Sequence, residues 1–145
     1  MASPCLFAYV VYTKTMTKFL TTFSGFSVDS IDKAREFYIN TLGFKLNDEK
    51  MGLDIELPGG GNVFIYEKPD HQPATFTVLN LVVPNIDEAI DDLTAKGITF
   101  ETYDLGNGAV QDDKKVLRGL AANMGPDIAW FKDPAGNVLS VLQGE

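Results

Sequence analysis

A short pattern occurs twice in this chain, and the duplication limits the folds open to it. Near the C-terminus it reads Asp133-Pro134-Ala135-Gly136-Asn137, followed by the apolar run Val138 to Gln143. Earlier it reads Pro58-Gly59-Gly60-Gly61-Asn62, followed by Val63 to Lys68. Gly and Asn tolerate the positive φ of a tight hairpin, and the β-branched and aromatic residues behind them favour a strand. The segments upstream repeat as well. Ser30-Ile31-Asp32-Lys33-Ala34 lies over Asn85-Ile86-Asp87-Glu88-Ala89, and Val28 over Val83. Gly43-Phe44 lies over Gly97-Ile98 with one residue of slippage in the helix, and Gly61-Asn62-Val63 over Gly136-Asn137-Val138.

The element order follows from this alignment. Phe19 to Val28 alternates as a strand, and Ser30 caps a helix over Ile31 to about Thr41 that Gly43 ends. Phe44–Leu46, Leu53–Leu57 and Val63–Tyr66 read as strands. In the second half Phe76–Val83 is a strand, and Asn85 with Glu88 forms a capping box for a helix that Gly97 stops. Ile98–Tyr103, Ile128–Phe131 and Val138–Leu142 complete it as strands. The expected fold is α+β: two β-α-β-β-β modules, about 19–67 and 76–143, joined by a linker over 68–75 into one curved mixed sheet with helices outside. The concave face of that sheet is the expected cavity. Residues 1–15 are expected to stand outside the domain of residues 16–145, as an upstream addition or a disordered or contact arm, because Met16-Thr17-Lys18 reads like a natural start.

Charge and composition exclude several function classes. Acidic residues outnumber basic ones by 20 to 12, a net charge of −8, which repels phosphate backbones and anionic lipid and argues against nucleic-acid or membrane partners. The apolar run Leu6–Tyr12 is too short to span a bilayer. One cysteine, Cys5, permits no internal disulfide and suits a reducing, cytoplasmic setting. With one histidine, His71, structural zinc and a histidine-based triad lack material. Gly59-Gly60-Gly61 is no phosphate loop, since no Gly-Lys-Ser/Thr follows and the stretch joins two strands.

At this point the chain resembles the vicinal-oxygen-chelate superfamily of glyoxalase I, extradiol dioxygenases and bleomycin-resistance proteins. The residues that carry the resemblance are Val28 to Ala34, Phe37-Tyr38, Leu42-Gly43-Phe44, Asn85 to Ala89 and Trp130 to Asn137. The resemblance implies four metal-ligand positions, normally His or Glu, which fall here on Phe23, Ile65, Val78 and Ser140. Three are apolar and one is a hydroxyl, a set unsuited to a divalent ion. The expectation is therefore no metal, no cofactor, and closeness to the metal-free, ligand-binding branch. The family also implies a homodimer.

The candidate ligand-binding residues are Phe23, Ile65, Val78, Asn80, Ser140, Trp130, Tyr103 and Arg118. All but Tyr103, which stands where the long segment leaves the sheet, have a plainer alternative: core packing for the apolar ones and Trp130, a backbone partner for Ser140 and Asn80, and a salt bridge to Asp112 or Asp113 for Arg118. Asp54 and Glu56 are either solvated or a carboxylate pair at the cavity mouth. Glu56, Glu67 and His71 are the only candidates for catalysis, His71 standing in the linker, where exposure is the plainer reading. Three functions follow: a metal-independent protein that binds an amphipathic or aromatic small molecule, in sequestration or resistance; a lyase or isomerase resembling glyoxalase I; or an interaction domain with a vestigial pocket.

Overall fold

The computed structural model describes residues 8, 10, 11 and 14–145. Most of the expected N-terminal arm, residues 1–15, lies outside them. The first module contains β1 (Ser24–Val28), α1 (Ile31–Arg35), β2 (Lys45–Asp48), β3 (Leu53–Glu56) and β4 (Asn62–Glu67). The second contains β5 (Thr77–Val83), α2 (Ile86–Ala95), the short α3 (Gly119–Ala122), β6 (Ile128–Lys132) and β7 (Val138–Gln143). The architecture is α+β, with two mixed sheets in the orders β1-β4-β3-β2 and β5-β7-β6. In each sheet the first strand of the module runs parallel to the last.

Local chemistry sets the helix boundaries. Ser30 accepts from the Lys33 N–H and Asn85 from the Glu88 N–H, so each helix begins on a side-chain cap. The one-residue slippage has a structural form. Beyond Arg35, α1 continues as a π-helical stretch, Glu36–Thr41, where the Leu42 N–H reaches back five residues to the Phe37 carbonyl. This wider turn accommodates the extra residue of the first module. The two helices then end alike: the Phe44 N–H donates to the Tyr38 carbonyl, and the Ile98 N–H to the Leu93 carbonyl. Tyr38 and Leu93 are thus equivalent.

The same comparison at the hairpins corrects the repeat by one residue. Leu57 N–H bonds Gly61 O and Gly60 N–H bonds Leu57 O; Asp133 N–H bonds Asn137 O and Gly136 N–H bonds Asp133 O. Leu57 therefore matches Asp133, Gly60 matches Gly136, and Phe64 matches Ser140. The shared Gly-Asn dipeptide misled the alignment because Gly59, Gly60 and Gly61 all adopt positive φ, so any of them could stand for Gly136.

One core joins the modules. Ala34 and Tyr38 from the first helix, Ile90 from α2, Leu53, Ile55, Val63 and Ile65 from the first sheet, and Ala129, Phe131, Leu139 and Val141 from the second sheet all belong to it. The predicted strand over Ile98–Tyr103 does not form. Phe100 makes an isolated bridge to Phe131, and the Glu101 N–H bonds Trp130 O; further along the same edge Leu117 exchanges hydrogen bonds with Ile128. Two separate segments share the edge of β6, with 104–116 looping between them, so neither extends into a strand.

Candidate functional site

Strand alternation decides which residues can meet a ligand. In β4, Val63 and Ile65 are buried in the core, while Asn62, Phe64 and Tyr66 lie on the other face and are partly accessible. Cross-strand neighbours extend this open face: Gly25 pairs with Phe64 and Ser27 with Tyr66 on one side, and Asp54 pairs with Phe64 on the other. Phe23 meets the Phe64 ring edge-on at 6.4 Å, and Phe64 stacks on Tyr66 at 6.0 Å. Phe23 and Phe64 border an open cavity of about 500 Å³, lined also by Thr22, Met51, Asp54 and Asn62. Phe23 is 68% exposed there. The Asn62 amide donates to Asp54 at 2.9 Å, which fixes the carboxylate.

The second sheet presents a matching face. Trp130, Ser140 and Asn80 stand side by side across β6, β7 and β5. Ser140 is fully buried and its hydroxyl donates to Asn80 Oδ1 at 2.6 Å. Tyr103 packs edge-on against Trp130 at 5.8 Å, and its buried hydroxyl has no partner among the described residues. Burial, with Glu101 nearby, raises the Tyr103 phenol above its ordinary pKa, so it remains a hydrogen-bond donor. A second cavity, of about 540 Å³, borders β1, the linker and β5, and includes Ser27, Tyr66, Val78 and Asn137 in its wall.

The expected site residues are therefore distributed. Asn80, Ser140, Trp130 and Tyr103 come together on one face, Phe23 lies on the other sheet, and Val78 lines the cavity between β1 and β5. Ile65 is fully buried in the core; Phe64 and Tyr66 hold the accessible positions, and sequence reasoning missed both through the one-residue register error. Arg118 lines neither of these two cavities. Its guanidinium is bound by Asp87 at 2.7 Å, Asp112 at 2.7 Å and Asp127 at 3.4 Å. It fastens the 104–126 segment to α2, where Lys114 adds a bond to Asp91 at 2.9 Å.

The three catalytic candidates also separate. Glu56 pairs with Lys45 at 2.9 Å, and Glu67 accepts from the Ile31 N–H at the start of α1 at 3.3 Å. Glu56 pairs with Asn62 at the opposite end of β4 from Glu67. His71 is not free in the linker. Nε2 faces the Ala135 carbonyl at 3.0 Å, which can only accept, so Nε2 carries the proton; the Ser27 hydroxyl donates to Nδ1 at 2.7 Å. The ring ties the linker to both modules.

Asp87 and Asp112 supply a pH dependence. The Arg118 guanidinium holds Asp87 below the ordinary carboxylate pKa; at Asp112 burial opposes the shift but the Val116 N–H and Arg118 outweigh it. A carboxylate depressed in the folded state stabilises above its unfolded pKa, and that contribution is lost as pH falls through the folded value. The 104–126 segment should therefore loosen below about pH 4. The check is the near-ultraviolet circular dichroism of the Tyr103–Trp130 pair, which should fade over that range, and at higher pH in Arg118→Met.

The model of the Glyoxalase/Bleomycin resistance protein/Dioxygenase superfamily matches residues 21–141. The chain belongs to this superfamily. None of the curated proteins matches the sequence. Among solved structures, TnmS3, an antibiotic binding protein from Streptomyces sp. CB03234, superposes with a TM-score of 0.60 at 22% identity, covering 89% of this chain and 100% of that one. A glyoxalase/bleomycin resistance protein from the same organism gives 0.55 at 23% identity, over 84% and 100%. The glyoxalase family protein from Enterococcus faecalis gives 0.58 at 21%, over 83% and 94%. At these identities the likeness shows the fold.

The superfamily's enzymes imply a divalent metal, and the donor chemistry here does not fit one. With the register corrected, the four positions carry Phe23, Phe64, Val78 and Ser140. Among the described residues no group of three His, Cys, Asp or Glu side chains is placed to hold a metal ion. A divalent ion placed against phenyl and isopropyl groups would lose its hydration without replacement.

Proposed function

We propose that this protein binds an amphipathic aromatic small molecule, without a metal, on the open face of its first sheet. The observation that carries the reading is the pair Phe23–Phe64 beside Asp54 and Asn62, at a cavity of about 500 Å³, with Tyr66 stacked behind Phe64. Contiguous exposed aromatic surface is rare on a protein that has no use for it, and rings in edge-on and offset geometry offer a flat ligand both a wall and a lid. Asp54 supplies an acceptor for a donor group at the ligand's polar end. The superposition on an antibiotic binding protein supports sequestration or resistance as the purpose.

A homodimer completes this reading. Phe19 and Leu20, just ahead of β1, are 78% and 90% exposed, as befits residues that a second copy covers. The single cysteine keeps the reading in a cytoplasmic setting. Among the described residues no helix is long and apolar enough to cross a membrane.

1-Naphthylmethylamine, a flat aromatic with one ammonium, is a suitable probe. Calorimetric titration should show saturable binding that weakens about tenfold in Phe64→Ala, the loss of one aromatic contact. Asp54→Asn should weaken the amine more than naphthalene methanol. Equal affinity of wild type and Phe64→Ala would place the ligand elsewhere.

A further inference from the structure

The two modules meet at two seams that the duplication makes equivalent, and only one is sealed. At the first, the helix of module one faces the hairpin of module two. Tyr38 is fully buried there and donates to Asp133 at 2.7 Å, while Phe37 packs on Phe131 at 6.3 Å. The linker lies over it, with His71 bonded to Ala135 O and the Ala74 N–H to Asn137.

At the second seam, the helix of module two faces the hairpin of module one. The residue equivalent to Tyr38 is Leu93, and the residue equivalent to Asp133 is Leu57. Both line a cavity of about 390 Å³ on the helix side of the second sheet, together with Phe44, Leu81, Ala89 and Val141. Ala34, the counterpart of Ala89, is buried in the core; Ala89 is only partly covered. No polar pair closes this seam. The charged groups at its rim, Asp92 and Lys96, neutralise each other at 3.0 Å.

We propose that this open seam is a second ligand site, which takes an uncharged, hydrocarbon-rich small molecule or the apolar end of one. The volume lies within the range of small-molecule pockets and is far too small for a folded partner. A charged ligand would lose its hydration against leucine and phenylalanine walls without gaining a counter-ion, since the two rim charges are already paired. The apolar walls of the site lie on the helix side of the second sheet, and it reaches round the edge strand β5 to Asn80 and Val82; it shares no lining residue with the cavity beside Phe23 and Phe64.

N-Phenyl-1-naphthylamine, a neutral fluorophore that brightens in apolar surroundings, tests this. Wild-type protein should give a saturable emission rise. Ala89→Phe, which fills the cavity, and the double change Leu57→Asp with Leu93→Tyr, which installs the pair found at the sealed seam, should each weaken the probe by about tenfold or more with the melting temperature held or raised. Either variant suffices if the other fails to fold. Phe23→Ala should leave the probe unaffected. Absence of saturable emission, or loss of binding in Phe23→Ala with retention in the filled variants, would overturn the proposal.

Discussion

Asp133→Ala will lower the unfolding free energy by about 3–5 kcal/mol, the cost of stripping the partner from several buried donors at once. The carboxylate is 4% exposed. It accepts from the Tyr38 hydroxyl at 2.7 Å, from the Ala135 and Asn137 N–H groups at 3.0 and 2.8 Å, and from the Asn137 amide at 3.1 Å. Asn137 is itself tied to Ser27 O in β1 and to the Ala74 N–H in the linker. Asp133 therefore holds the hairpin, and through it the contact of the two modules. Tyr38→Phe removes one donor and leaves the other three bonds in place, so it should cost about 1–2 kcal/mol. Burial, then the charge and hydrogen bond of Asp133, push the Tyr38 phenol well above its ordinary pKa. A raised folded pKa gives stability that is present below the unfolded value and lost as pH rises, so wild type should weaken above about pH 10 and Tyr38→Phe should not share that loss. Urea denaturation at neutral and alkaline pH measures all three; equal midpoints for Asp133→Ala and Tyr38→Phe would show that the turn does not depend on the carboxylate.

Much of this arrangement could be read from the sequence. The caps Ser30 and Asn85, the helix-ending Gly43 and Gly97, and the two hairpins are local signals, and local chemistry settled each. What the sequence could not settle was register. Three consecutive glycines make a turn whose hydrogen-bonding position is ambiguous, and in a strand a shift of one residue exchanges the two faces. Ile65 was thereby read into the pocket and Phe64 left out of it. The missing strand at Ile98–Tyr103 is a different kind of difference. Its residues suit a strand, but the edge of β6 is divided between Phe100 and Leu117, a competition between segments remote in sequence.

Arg118 and His71 show the same limit from the side of the site. The one guanidinium of the 104–126 segment reads equally as a ligand clamp or a structural hub. Only the convergence of Asp87 from α2, Asp112 from the 104–126 segment and Asp127 just ahead of β6 decides for the hub. His71 reads as solvent-facing because its neighbours are polar, yet its partners are 44 and 64 residues away along the chain. The internal comparison of the modules carries more: once Tyr38 is matched to Leu93 and Asp133 to Leu57, the two copies differ most where one seam is polar and shut and the other apolar and open.

Gly52→Ala should damage fold and ligand binding together, because Gly52 is where the aromatic wall rests on the sheet. A methyl group there would stand 2.5 Å from the Ile65 carbonyl oxygen and 2.9 and 3.0 Å from the Phe64 ring. The first contact is with backbone at the β3–β4 pairing of Leu53 with Ile65, which cannot yield without opening the ladder. The second would lift the ring into the cavity it borders. Overpacking of this kind costs about 2–3 kcal/mol, and a displaced Phe64 should weaken 1-naphthylmethylamine by about tenfold. Removing the ring separates the two effects. In Gly52→Ala with Phe64→Ala the ring clash is gone and the carbonyl clash remains, so stability should return only in part while affinity stays at the Phe64→Ala level. Gly25→Ala, whose methyl would stand 3.1 Å from Phe64 O and 3.9 Å from its Cβ, should be milder on both counts. Thermal denaturation and calorimetry on the four variants decide the matter: a Gly52→Ala protein with wild-type melting and wild-type affinity would mean that the ring is not held by this contact, and that the wall of the cavity is set elsewhere.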